Sequence, residues 1–294
     1  MRLADRWKDY ELLDASSGER LERWGDVILI RPDPQIIWKT PKKHPMWNKA
    51  DARYVRSQTG GGHWDVRRKL PDSWQIGYDD LRFNIKPMGF KHTGLFPEQA
   101  VNWDWMREKV ANAGREIRVL NLFAYTGGAT AACLSAGAYV CHVDASKGMT
   151  QWAKENAASS GLADVPQRWI VDDCGKFTAR ERRRNSLYDA IIMDPPSYGR
   201  GPNGEVWHLE EQIYDLVGSV AEVLTDNPLF FLINSYTTGL SPSVMKYILT
   251  AQLGSRWKDA VIEADEIGLP VSGASRDGRE QVLPCGATAI FSRG

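Results

Sequence analysis

Downstream of residue 117 the apolar positions gather into short, nearly unbroken runs with stretches of helix length between them. Runs at 117–124, 139–144, 167–173, 188–194 and 229–234 have the length expected of buried strands. The intervening patterns predict helices over 98–113, 129–136, 148–159, 175–184, 210–224 and 241–253, and the runs 261–264 and 287–291 would close a sheet. Strands alternating with helices predict an α/β fold, a doubly wound sheet of Rossmann-like type. Residues 1–90 read differently. Short strands are predicted at 10–15, 20–24, 27–30 and 36–39, and the segments 74–78 and 81–85 alternate around Asp79-Asp80 as a hairpin. The expected division is a small β-rich N-terminal subdomain at 1–90 and the α/β domain at 91–294.

The stretch from Ile117 to Asp144 carries the first chemical signal. A strand leads into Tyr125-Thr126-Gly127-Gly128, then a small-residue helix, then a second strand ending in Asp144. This is a βαβ unit with a nucleotide-type pocket at the strand ends. The turn lacks the Gly-x-Gly-x-x-Gly that cradles a pyrophosphate, so a nicotinamide dinucleotide fits it poorly. S-adenosylmethionine has no pyrophosphate and needs only a short turn of small residues. Asp144 stands where a carboxylate accepts ribose hydroxyls; its plainer reading is a helix N-cap before Lys147. A second signal is Asp194-Pro195-Pro196-Ser197-Tyr198 at the end of the fourth strand. Two prolines stiffen the backbone there, so an acidic side chain and a carbonyl can face a planar amine, with Tyr198 covering an aromatic face.

Charge changes the picture only locally. The chain has 37 basic and 37 acidic residues, but from Arg31 to Lys69 ten Lys/Arg stand against three Asp. That segment also holds Trp38, Trp47, Tyr54 and Trp64, a mixture suited to single-stranded nucleic acid. The competing reading is a solvated basic surface over a small tryptophan-containing core. Cys133, Cys141, Cys174 and Cys285 form no Cys-x-x-Cys pair and the five histidines show no ligand spacing, so neither a disulfide framework nor a metal site is expected. No signal-peptide pattern and no membrane-length apolar run is seen, which leads to the expectation of a cytoplasmic protein. The oligomeric state is not readable.

Four stretches together, Lys91-His92-Thr93-Gly94-Leu95-Phe96-Pro97-Glu98-Gln99, Asn121 to Gly128, Asp172-Asp173 and Asp194 to Tyr198, resemble class I S-adenosylmethionine-dependent methyltransferases. The similarity is to the bacterial family that modifies large-subunit ribosomal RNA at cytosine C5 or guanine N7, and it covers residues 80–294 best. The resemblance implies S-adenosylmethionine as cofactor and RNA as substrate, with no metal and no membrane. It implies that Gln99, Asn121, Phe123, Tyr125, Thr126, Gly127 and Gly128 contact the methionine end. By the same resemblance Asp144 holds the ribose, Asp173 the adenine amine and Cys174 backs the ring, while Asp194, Pro195 and Tyr198 face the nucleotide.

Three departures qualify the likeness. Ala100 stands where the family has Arg after the acidic residue and Gln, and Asn121 varies in the family. Members that methylate cytosine C5 place a Cys after the fifth strand, where this chain has Asn234-Ser235-Tyr236-Thr237-Thr238-Gly239. Carbon-5 needs a thiolate adding at C6, so transfer to a nucleobase nitrogen is favoured. Cys285 would serve only if the final hairpin covered the cleft; a buried core thiol is the plainer reading. The loop 199–209, with Gly201, Gly204, Glu205 and Trp207, resembles a lid with a stacking ring, or else a crossover whose Trp packs on the sheet. Ser272 to Arg279 forms a second candidate gating loop, and Arg182-Arg183-Arg184 suits a helix C-terminus. The alternatives kept are a small-molecule or protein methyltransferase, a non-enzymatic nucleotide binder and a NAD-dependent oxidoreductase.

Overall fold

A computed structural model describes residues 1–57, 61–200, 206–237, 239–273 and 281–293. The chain divides into two compact units, one of Met1–Arg2, Asn102–Ile267 and Gly286–Gly294, the other of Leu3–Val101 and Gly268–Cys285.

The first unit is built on the predicted α/β sheet. The strands of this sheet are β1 (Arg118–Leu122), β2 (Tyr139–Asp144), β3 (Gln167–Val171), β4 (Ala190–Met193), β5 (Phe230–Ser235), β6 (Val261–Pro270) and β7 (Val282–Ser292), β6 counting to this unit as far as Ile267 and β7 from Gly286. Their spatial order is β6-β7-β5-β4-β1-β2-β3, with Arg2–Leu3 outside β6. β1 to β5 are parallel, and β7 runs antiparallel to β5. The helices are α1 (Ala100–Ala111), α2 (Gly128–Ser135), α3 (Lys147–Ser159), α4 (Cys174–Arg183), α5 (Leu209–Ala221) and α6 (Pro242–Leu253). Each lies within a few residues of its predicted span.

Strand alternation divides the buried residues between two faces. Leu120 and Leu122, Cys141 and Val143, Ile191 and Met193, Phe231 and Ile233 share one core with Phe177 of α4, Val217 of α5 and Leu249 of α6. Intervening residues such as Asn121 and His142, register partners on β1 and β2, belong to the other face and are also buried. Burial on both faces is what made these strands read as continuous apolar runs.

The second unit contains a five-stranded sheet of Tyr10–Ser16, Glu19–Trp24, Val27–Pro32, Ala52–Arg56 and Gly62–Val66, in that order, and the hairpin Trp74–Tyr78 with Leu81–Ile85. Residues 36–39, expected as a strand, join no sheet. Their carbonyls are used locally instead: Ile36 O accepts from Gly18 N–H and Trp38 O from Ser17 N–H, both at 2.8 Å. The pair Ala52–Arg56 and Gly62–Val66 was not foreseen, because its glycines and charges hide the alternation. Among the described residues no helix is long and apolar enough to cross a membrane, and no group of His, Cys, Asp and Glu is placed to hold a metal.

Candidate active site at the carboxyl edge of the sheet

Strand register brings the central residues to one level. Leu122 pairs with Val143 on β2 and with Met193 on β4, so the next residues stand level: Phe123 and Asp194 just beyond their strands, and Asp144 as the last residue of β2. β1 and β4 are the neighbours between which the strand order reverses. Open α/β sheets have a ligand crevice at that point. With strands about 4.8 Å apart, the two aspartates stand roughly 10 Å from each other, on either side of the turn that follows β1.

That turn has an unusual backbone. Phe123 (φ +55°), Tyr125 (φ +51°) and Gly127 (φ +81°) are all left-handed. For the two aromatic residues this costs about 1 kcal/mol or more each and persists only where surrounding contacts enforce it. Those contacts are present. Phe123 N–H donates to Cys174 Sγ (3.2 Å), Ala124 N–H to Val143 O (3.1 Å) and Tyr125 N–H to Asp144 Oδ2 (2.9 Å). The buried Asn156 of α3 donates from Nδ2 to Thr126 O at 2.8 Å. The glycines are needed for close packing: a Cβ on Gly127 would lie 2.9 Å from Ala153 Cβ, and one on Gly128 2.6 Å from the Trp103 ring.

Asp144 is not the cap of α3. Ser146 is, its Oγ accepting from Met149 N–H, and Asp144 Oδ1 in turn accepts from Ser146 N–H at 2.8 Å. Each Asp144 oxygen thus receives one backbone N–H and keeps a second acceptor position. Burial raises its pKa above the ordinary 3.8, and the two N–H donors oppose that rise. Asp173 caps α4 by accepting from Lys176 N–H at 2.8 Å, and the preceding Asp172 pairs with Arg180. Cys174 is buried at the start of α4, and burial pushes its thiol up to about 12. It therefore stays neutral and serves the turn as a sulfur acceptor.

Asn121 is only 2% exposed, and its Nδ2 donates to Thr130 Oγ1 (2.9 Å), which meets His142 Nδ1 at 2.9 Å. Its side chain ties β1 to α2 and β2. Burial lowers the His142 pKa to about 3, so the ring is neutral. Thr126 is buried, and Gln99 lies in the other unit, at the end of the 3₁₀ turn Pro97–Gln99 and 8% exposed. Sequence reading missed Thr130, His142 and Asn156. Asn156 had a usable signal, a polar residue in the helical stripe formed by Trp152, Ala153 and Ala157.

On the other side of the turn, Asp194 is half-buried, Pro195 buried and Tyr198 half-exposed. Tyr198 opens a ribbon in which Tyr198–Arg200 pairs with Val206–His208, and its ring meets His208 edge-on at 5.3 Å. Trp207 Nε1 donates to Pro196 O at 2.6 Å. At the end of β5, Ser235 Oγ accepts from Thr237 N–H, and Thr237 Oγ1 donates to Ser197 Oγ at 2.6 Å. Gly201, Gly204 and Glu205 of the candidate lid, Thr238, and 274–279 of the second candidate loop lie outside the described residues.

All four cysteines are buried. Burial raises Cys133 to about 12 and Cys141 to about 11, and it raises Cys285 as well, whose thiol donates to Leu283 O at 3.4 Å. None has the environment of a thiolate nucleophile.

The acceptor set suits an adenosine-bearing cation. Asp144 ends β2 and Asp173 caps the start of α4, and neither forms an ion pair among the described residues, which leaves carboxylate oxygens for hydroxyl and amine donors. Comparison with known proteins agrees. A model of the S-adenosylmethionine-dependent methyltransferase family matches residues 45–227. A crystal structure of the S-adenosylmethionine-dependent methyltransferase from Agrobacterium tumefaciens superposes with a TM-score of 0.90 at 34% identity, covering 99% of this chain and 93% of that one. SMU.776, crystallised with S-adenosylhomocysteine, shares the fold at a TM-score of 0.73 and 19% identity, over 97% of this chain and 76% of its own. A relative in Shewanella frigidimarina, ribosomal RNA large subunit methyltransferase K/L, is 30% identical over 235 residues, 76% of this chain and 31% of the relative. The chain thus spans about a third of the length of the curated relatives it matches. The family model covers more than half of the chain, from the N-terminal unit through β4 and α5, and the chain belongs to the S-adenosylmethionine-dependent methyltransferase family.

Proposed function

We propose that the chain methylates RNA, with ribosomal RNA as substrate class and a nucleobase nitrogen as acceptor. One observation carries the reading. Asp194 and the diproline stand level with Phe123 and Asp144 at the switch point, so an acceptor at the corner would lie beside a cofactor at the turn. The K/L relatives' name supports ribosomal RNA, and the four protonated, buried thiols argue for nitrogen over carbon-5.

In this reading Asp144 accepts the ribose hydroxyls and Asp173 the adenine amine, with Cys174 behind the ring. Phe123, Tyr125, Thr126, Gly127 and Gly128 form the wall at the methionine end, to which Gln99 and Asn121 are assigned by family resemblance. Bound there, S-adenosylmethionine supplies an electrophilic methyl group. Asp194 accepts the N–H of the acceptor nitrogen and orients its lone pair, the Pro195 carbonyl accepts a second N–H, and Tyr198 covers the base. Such catalysis is positioning and desolvation.

The N-terminal unit favours a second reading. Half of the ten cations between 31 and 69 are ion-paired, and Trp38, Trp47 and Trp64 donate their indole N–H groups to the protein. A small-molecule or protein acceptor needs no polyanion surface.

The test is transfer of tritiated methyl from the cofactor to RNA lacking the modification, with the label mapped to its atom. Asp194→Ala is expected to lower transfer by about 100-fold, the loss that follows when the acceptor is no longer oriented, while S-adenosylhomocysteine still binds. Label in protein or a small molecule, or full activity of Asp194→Ala, would overturn the assignment.

A further inference from the structure

Two prolines leave the corner without backbone donors. Between Asp194 and Ser197 neither Pro195 nor Pro196 has an N–H, so these two residues can be hydrogen-bonded from outside only through their carbonyls. Trp207 does this with its indole N–H, 2.6 Å from Pro196 O. The ring of the same residue lies 6.4 Å from the Phe123 ring, tilted by 33°, within aromatic pairing range. Phe123 is the first left-handed residue of the turn after β1. Trp207 is itself held: it pairs with Gly199 across the ribbon, and two residues on Leu209 is fully buried and donates its N–H to Ser197 O at 3.1 Å.

We infer that Trp207 is a positioning residue that couples occupancy of the cofactor turn to order at the diproline corner. One side chain touches both walls, its ring against Phe123 and its donor on Pro196. Filling the turn fixes the Phe123 ring, which limits the tilt of the indole and so holds the Pro196 carbonyl in register. The sequence left two readings for this residue, a stacking ring in a lid or a Trp packed on the sheet; the geometry gives it a contact with each wall. The inference rests on the corner being the acceptor-side wall, but the coupling itself is measurable without any acceptor.

Amide hydrogen exchange on the full chain, with and without S-adenosylhomocysteine, tests it. In the unmodified protein the ligand is expected to slow exchange at Tyr125 and Thr126, and also at Ser197, Tyr198 and Gly199, by at least fivefold. Trp207→Phe keeps a ring and removes the donor. It is expected to bind S-adenosylhomocysteine within twofold of the unmodified protein and protect the turn equally, yet lose the protection at 197–199. Its kcat on the RNA substrate should fall three- to tenfold with KM for the cofactor unchanged, the loss expected of one hydrogen bond. Corner protection that persists in Trp207→Phe, or is absent in the unmodified protein, would overturn the coupling. Loss of methyl transfer to RNA with the exchange pattern intact would count against the proposed substrate alone.

Discussion

The turn at 123–127 and the basic segment at 31–69 both stand out in the sequence as ligand-facing, and they use their polar groups in opposite ways. At the turn the protein spends backbone donors on Asp144 and Cys174 and leaves carboxylate acceptor positions open at a strand end. In the basic segment it spends the side chains. Arg31 is buried against Glu22, Lys42 and Arg53 share Glu19, and Arg68 pairs with Asp51. Lys39, Lys43, Lys49, Arg56 and Lys69 remain exposed without an ion pair among the described residues. A local motif reports what backbone geometry offers a ligand, whereas a count of charges does not report how many are already neutralised.

The largest effect expected from breaking the turn is at Asp144. Asp144→Ala removes the acceptor for Tyr125 N–H together with those proposed for the ribose. At about 1.5–3 kcal/mol for each hydrogen bond to a charged group, S-adenosylhomocysteine affinity should fall by about 100-fold, read by calorimetry. The pH dependence sharpens this. Burial raises the Asp144 pKa above 3.8, so the folded chain holds that proton more tightly than the unfolded chain. Its contribution to stability is therefore present below 3.8 and lost as pH rises through the folded value. Cofactor binding runs the other way, because the ionised carboxylate is the better acceptor. Affinity should weaken as pH falls toward a midpoint above 3.8, and Asp144→Asn should flatten that limb.

The same contrast explains what could be read in advance. The α/β sheet, its six helices and the level of Asp144 and Asp194 were legible because burial on both faces writes long apolar runs, and strand ends are marked by Asp. Which face Asn121 joins was not legible, since a two-sided strand gives a polar residue no preferred side. Nor was the pairing of Glu19 with Arg53, which joins residues 34 positions apart through strands that do not neighbour each other. The ribbon of Tyr198–Arg200 and Val206–His208 escaped notice because three-residue strands carry too little periodicity.

A middle-sized effect tests whether paired cations are withheld from a polyanion. Glu19→Gln would release Lys42 and Arg53 together. If RNA lies on this segment, affinity should rise two- to tenfold, and the slope of log K against log salt should steepen by up to about 1.4, near 0.7 per released cation on single strands. Lys43→Ala, which removes an unpaired exposed cation, should make the slope shallower by about 0.7. Unchanged slopes in both variants would place the RNA contacts of this chain elsewhere.

The smallest effect separates stacking from support. Trp64 donates its indole N–H to Met88 O at 2.8 Å, and its ring meets Tyr54 edge-on at 5.5 Å, so the side chain works within its own unit. Trp64→Phe keeps an aromatic face and loses the donor. Stability should fall by about 1 kcal/mol, the net value of one hydrogen bond, and RNA affinity should change less than twofold. Trp64→Ala removes the face as well. A base stacked there would contribute about 1–3 kcal/mol, so affinity would drop five- to 100-fold beyond any loss of folded protein. RNA binding by Trp64→Ala that follows only the folded fraction, measured by filter binding beside thermal melting, makes the ring a structural support, and the unpaired lysines then carry whatever affinity the segment has.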